Sequence, residues 1–131
     1  MELPAEKPIL LIVDDDPNQQ RLLGLLLGKH FVIESAATVA EGTGILDKRH
    51  IDAVLLDLTL AGDEDGLTLV RHLRKQPRFE ELPVIGVSGH DSPEYEQAAI
   101  AAGCNHYLVK PVNKLILIER IEMLLATSSS G

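Results

Sequence analysis

Hydrophobic and polar positions alternate between two patterns along this chain. Short strand-like segments stand at 9–13, 31–35, 53–56, 83–87 and 106–109. The first, third and fourth are almost continuously apolar, as strands buried on both faces are. Between the runs lie stretches with helical start and stop signals. Asp16 is placed to cap a first helix with Pro17 at its first position. That helix carries Leu22, Leu23, Leu25, Leu26 and Leu27, read as core, and ends between Gly28 and His30. Thr38-Val-Ala-Glu41 is a capping box opening a second helix that runs to Lys48. A third helix is predicted over 66–75, with Leu67, Val70, Leu73 and Arg74 at helical spacing. Ser92-Pro93 opens a fourth, which stops at Gly103 as a left-handed terminator. A fifth follows Lys110-Pro111 and places Leu115, Ile118, Ile121 and Leu125 on one stripe.

Five strands, each followed by a helix, predict an α/β domain: a doubly wound five-stranded parallel sheet covered on both faces. In such folds ligands bind at the carboxyl ends of the strands. Chemistry-bearing residues collect at that end. Asp14, Asp15 and Asp16 follow the first run, Asp57 ends the third, Ser88 follows the fourth and Lys110 the fifth. Clustered carboxylates repel and are driven toward protonation unless a cation joins them. The matching guest is a hard divalent ion with oxygen ligands, Mg²⁺ first. Asp16 is assigned to the helix cap, and Asp14 with Asp15 to the metal. Taken singly, Asp57 reads equally as a surface acid, Ser88 as a turn hydroxyl and Lys110 as a loop cation.

Composition narrows the rest. The 131 residues, 45% hydrophobic and 24% charged, suit one compact domain over 8–126. A flexible N-terminus is expected over 1–7 and a disordered tail over 127–131. No run of eighteen apolar residues is present, so no membrane span is expected. The polar, acidic first residues do not read as a secretory signal. The single cysteine, Cys104, excludes an internal disulfide, suits a reducing cytoplasm and reads as a small buried apolar residue. A net charge of -8 argues against nucleic acid as a direct ligand. Arg71, Arg74, Lys75 and Arg78 read as the wet face and end of a helix. His30, His50 and His72 read as surface residues and His106 as half-buried.

Five ordered segments carry a family resemblance: Ile9-Leu-Leu-Ile-Val-Asp-Asp-Asp-Pro17, Ala53-Val-Leu-Leu-Asp-Leu58, Asp65-Gly-Leu67, Pro83-Val-Ile-Gly-Val-Ser88 and Tyr107-Leu-Val-Lys-Pro111. Over 8–126 the chain resembles the response regulator receiver domain of two-component signalling, in the CheY-like superfamily. The resemblance implies strand order 2-1-3-4-5, the flavodoxin-like (βα)5 receiver fold. It implies Asp57 as phosphoacceptor, with Mg²⁺ or Mn²⁺ held by Asp14, Asp15, Asp57 and the Thr59 backbone carbonyl. It further implies Ser88 and Lys110 as partners of the phosphoryl group, Tyr107 as the switch aromatic, and a cis peptide at Lys110-Pro111. The implied donor is a histidine kinase or histidine phosphotransfer protein, and the implied target a downstream protein effector reading helix four, strand five and helix five. Such a domain acts on its own phosphorylation and dephosphorylation and is not a turnover enzyme.

The chain departs from the family pattern at several points. Ala61 replaces a usual proline. The loop over 61–65 is one residue longer and carries Asp63 and Glu64. Ser88 replaces the commoner threonine, Gly89 leaves the phosphoryl site open, and His90 lies near its rim. The competing reading is a degenerate receiver acting as a phosphorylation-independent docking module. A phosphatase of the haloacid dehalogenase type needs a second aspartate two residues after its nucleophile, and that position is Thr59. A nucleotide-binding reading lacks its glycine-rich loop. The apolar segment 115–118 admits two readings, a deeply packed helix or a homodimer through strand five and helix five.

Overall fold

The computed structural model describes residues 7–58, 66–89 and 91–129. Its elements run β1 (Ile9–Val13), α1 (Pro17–Leu27), β2 (Val32–Ala36), α2 (Val39–Lys48), β3 (Ala53–Asp57), α3 (Gly66–Arg74), a 3-10 turn (Pro77–Phe79), β4 (Val84–Ser88), α4 (Pro93–Ala102), β5 (His106–Val109) and α5 (Lys114–Ser129). The strands are all parallel and ordered β2-β1-β3-β4-β5, as the resemblance implies. Each strand lies within one residue of its expected position. The 3-10 turn has no counterpart in the sequence reading. The backbone of α5 continues through 127–129, which polar composition assigns to a tail. Once a helix is nucleated, each further residue gains one backbone bond for fixing only its own pair of dihedrals, whereas the first turn fixes several for one bond. Residues 1–6, 130 and 131 lie outside the described residues.

Two-residue periodicity in the strands sorts the core into two layers. Leu11, Val13, Val54, Leu56 and Val84 point to one face and pack with Leu46 of α2, Leu67, Val70 and Leu73 of α3, and Ala99 and Ala102 of α4. Leu10, Ile12, Ala53, Leu55, Ile85 and Val87 point to the other and meet Leu27 of α1 with Leu117, Ile118 and Ile121 of α5. β3 and β4 are buried at every position, which explains their continuous apolar runs.

Not every apolar helical position joins these layers. Leu22 is 50% exposed and Leu25 71%, so the α1 leucines are not all core. Five leucines in six positions sweep around a helix turning 100° per residue. Leu23 and Leu27, four apart, face the sheet, and Leu22 and Leu25 turn outward. Leu115 is likewise exposed, correcting its place on the predicted α5 stripe.

The helix starts follow their signals. Asp16 Oδ1 accepts from the Asn18 N–H at 2.9 Å, and Ser92 Oγ accepts from the Tyr95 N–H at 3.0 Å. The capping box is displaced by one residue. Thr38 Oγ1 accepts from the Glu41 N–H, but Glu41 Oε1 accepts from Ala37 rather than Thr38. Gly103 ends α4 at φ 124°, beside the Arg74 side chain, where an added Cβ would stand 2.5 Å from Arg74 Cγ.

Arg74 departs from its expected place on a wet helix face. Its guanidinium is half-buried and donates to the carbonyls of Gly103, Phe79 and Glu80 and to Asn105 Oδ1. Burial lowers its pKa from the ordinary value. Asn105 Oδ1 also accepts from the Val84 N–H, tying the starts of β4 and β5 together. Among the described residues no helix is long and apolar enough to cross a membrane.

Candidate functional site

Register alone brings the candidate residues together. Val13 pairs with Leu56, so Asp14 follows on beside Asp57 at the ends of β1 and β3. Asp57 pairs with Val87, one residue before Ser88. Ser88 pairs with Val109, one residue before Lys110, whose N–H donates to the Ser88 carbonyl at 2.8 Å. Four adjacent parallel strands therefore deliver their terminal side chains to one edge. Gly66 closes that edge from below: a Cβ there would lie 2.9 Å from Leu58 Cα and 3.0 Å from the Asp57 carbonyl oxygen.

The side chains form a compact cluster. Asp14 is 4% exposed and Asp57 6%, whereas Asp15 is open to solvent. One oxygen from each of Asp14, Asp15 and Asp57 lies within 4.8 Å of the others. Lys110 Nζ bonds Asp57 Oδ2 at 3.0 Å. Burial drives the Asp14 pKa above the ordinary carboxyl range. The Asp16 N–H, donating to Asp14 Oδ1 at 2.9 Å, opposes the rise, and the negative charge of Asp57 adds to it.

Three hard oxygen donors at this spacing, one of them destabilised as an anion by its surroundings, fit a divalent metal ion. Asp14, Asp15 and Asp57 are the residues that would hold it. Thr59, whose carbonyl is the fourth expected ligand, lies outside the described residues, as do the lengthened 61–65 loop and His90. Asp16 stays at the helix cap, as expected.

Ser88 is fully buried at the end of β4. Tyr107, on β5, is half-buried, and its ring lies 6.0 Å from that of Tyr95, tilted by 56°. Tyr95 itself donates from its hydroxyl to the Leu58 carbonyl, one residue past Asp57, at 3.4 Å. The chain holds two tyrosines, and they form this pair. Tyr95 escaped the sequence reading because its contacts depend on how α4 lies across β5. The peptide Lys110-Pro111 is cis.

A second residue without a sequence signal is Gln20. Its side-chain amide donates to the carbonyls of Asp14 and Ala36, both at 2.7 Å. Away from this edge, Cys104 is buried, and desolvation pushes its thiol up to about 11, which keeps it protonated and unreactive. His106 is half-buried, and burial, then the charge of Arg120, lowers its pKa. His30, His50 and His72 are exposed, as expected.

Comparison with known proteins agrees with this geometry. The chemotaxis protein CheY homolog of Campylobacter jejuni is 32% identical over 123 residues, covering 92% of this chain and 94% of that protein. The transcriptional regulatory protein GlrR of Escherichia coli is 36% identical over 128 residues, 95% of this chain, yet the chain spans 28% of that longer protein. A response regulator receiver domain protein (CheY-like) from Methanospirillum hungatei superposes with a TM-score of 0.86 at 29% identity, covering 96% of this chain and all of that one. With residues 10–122 matching the family model itself, the chain belongs to the response regulator receiver domain family.

Proposed function

We propose that this domain accepts a phosphoryl group on Asp57 from a phosphohistidine, carried by a histidine kinase or a histidine phosphotransfer protein, and passes the change to a protein effector. The observation that carries the reading is the meeting of Asp57 with two further acids and the Lys110 ammonium at a single sheet edge.

A carboxylate oxygen of Asp57 forms the new P–O bond as the P–N bond of the donor breaks. The electron pair returns to the donor imidazole, and the product on Asp57 is an acyl phosphate. Negative charge on both reactants opposes this approach. A Mg²⁺ or Mn²⁺ ion at the acid cluster would supply positive charge at the phosphoryl oxygens. Asp14 and Asp15, with Asp57, would hold that ion through their carboxylates. Lys110 offers its ammonium from the β5 side and engages a phosphoryl oxygen in exchange for part of its bond to Asp57. The buried Ser88 hydroxyl donates to a phosphoryl oxygen once one has arrived, which favours an inward β4–α4 loop in the loaded state alone. Tyr107 then turns toward the space vacated, and the surface of α4, β5 and α5 changes. Nothing here turns over a separate substrate: the domain acts on its own phosphorylation and hydrolysis.

Intact-mass measurement after incubation with acetyl phosphate and Mg²⁺ tests the proposal. Wild type gains one phosphoryl adduct that hydroxylamine removes, and Asp57→Asn gains none. Failure of the wild type to be labelled would leave the docking-module reading in its place. Tyr107→Ala keeps the adduct but loses the phosphorylation-dependent change in surface protection on α4 and β5, read by hydrogen exchange. Full retention of that change removes Tyr107 from the switch.

A further inference from the structure

We propose that Gln20 is a positioning residue for the acid cluster: its side-chain amide fixes the end of β1 that carries Asp14 and thereby sets the affinity of the cluster for a divalent cation. The inference rests on the metal reading above and assigns part of its strength to a residue that touches no ligand.

The placement of Gln20 is set at the start of α1. The Asp16 cap and Pro17 fix the first turn, and the Gln20 N–H closes it on the Asp16 carbonyl at 3.0 Å. That geometry sends the Gln20 side chain back beneath the acid-bearing turn. There its Nε2 donates to the Asp14 and Ala36 carbonyls. The Asp14 N–H donates to the same Ala36 carbonyl at 3.0 Å. The main chain of Asp14 is thus held on both sides, through its N–H and through its carbonyl. Its carboxylate is held by the Asp16 N–H.

The amide makes these bonds at a penalty. Gln20 Oε1 is buried with no hydrogen-bond partner among the described residues. An unsatisfied buried acceptor is destabilising and calls for an explanation. A neutral double donor explains it: glutamine supplies two N–H groups to two carbonyls without bringing a cation to compete at the neighbouring carboxylates. Groups that orient metal ligands from behind commonly govern metal affinity.

The opposite end of β1 supplies a control. There the Ile9 N–H donates to Asp52 Oδ2 at 2.7 Å, so Asp52 anchors the same strand far from the acids. Binding of Mn²⁺ to the full chain is measured by the loss of the free-ion electron paramagnetic resonance signal. Gln20→Met, close in size but without donors, is expected to weaken Mn²⁺ binding about tenfold. Asp52→Ala is expected to lower the melting temperature yet leave Mn²⁺ affinity within about twofold. If Gln20→Met does not fold, Gln20→Ala is read the same way. Wild-type affinity in the Gln20 variant overturns the proposal, and so does an equal loss in Asp52→Ala, which marks a general effect of loosening β1. Absence of Mn²⁺ binding by the wild type overturns the metal reading itself, a result distinct from either.

Discussion

The two edges of the sheet treat charge in opposite ways. At the amino edge, polar side chains are matched by partners whose chemistry complements them. Arg74 meets three carbonyls and Asn105, Asn105 meets the Val84 N–H, and Asp52 meets the Ile9 N–H and His50. At the carboxyl edge, Asp14, Asp15 and Asp57 gather with Lys110 bonded to one of them. Burial there makes the charged form of Asp14 unfavourable. The first edge is built to close the fold. The second keeps an electrostatic demand that an incoming cation can meet. Strain of this kind concentrates where a protein does its chemistry.

The sharpest way to break the comparison is Asp57→Asn. Phosphoryl uptake should vanish, while urea unfolding at neutral pH without divalent ions should show no loss of stability, since a like charge beside Asp14 is gone. A loss above about 1 kcal/mol would make the carboxyl edge structural as well. Arg74→Ala is the mirror experiment. Several buried carbonyls lose their donor, and unfolding should cost about 3 kcal/mol less. Uptake of phosphoryl per folded molecule should stay within about twofold of wild type.

A subtler test uses pH. The Asp14 carboxyl titrates above its ordinary 3.8 in the folded chain, so between those two values the native state binds more protons than the unfolded one. In chelator, the contribution of Asp14 to stability should therefore fall as pH rises from 3.8 through the raised value, and the penalty should persist above it. Asp14→Asn should lack that decline and unfold at higher urea at neutral pH. Identical pH profiles would remove the proposed demand from Asp14. The smallest effect belongs to a helix start just past the carboxyl end of β2, outside the acid cluster. Thr38→Ala should lower stability by about 1 kcal/mol and leave metal binding and phosphoryl uptake unchanged.

Much of this is legible in the amino-acid sequence alone. Unbroken apolar runs give β3 and β4, because a strand covered on both faces has no polar side to show. Asp16, Thr38, Ser92 and Gly103 give helix ends, because capping is chemistry between near neighbours. The acids at the ends of β1 and β3, with Ser88 and Lys110, follow from strands that share a direction. These are local or periodic features, and a linear sequence records them directly.

Other residues took their roles from long-range placement. Arg74 reads as a surface cation until Gly103 and Asn105 fold against it from 29 and 31 residues away. Leu22 and Leu25 read as core until the sheet selects which stripe of α1 it will cover. Tyr95 finds Tyr107 and the Leu58 carbonyl, and Gln20 finds Ala36, only when separate elements pack. Sequence by itself determined the alternation of elements and the kinds of group at their ends. Tertiary structure alone decided which of those groups are buried, which are paired and which carboxylates face one another, because desolvation and charge depend on distance in space and not on separation along the chain.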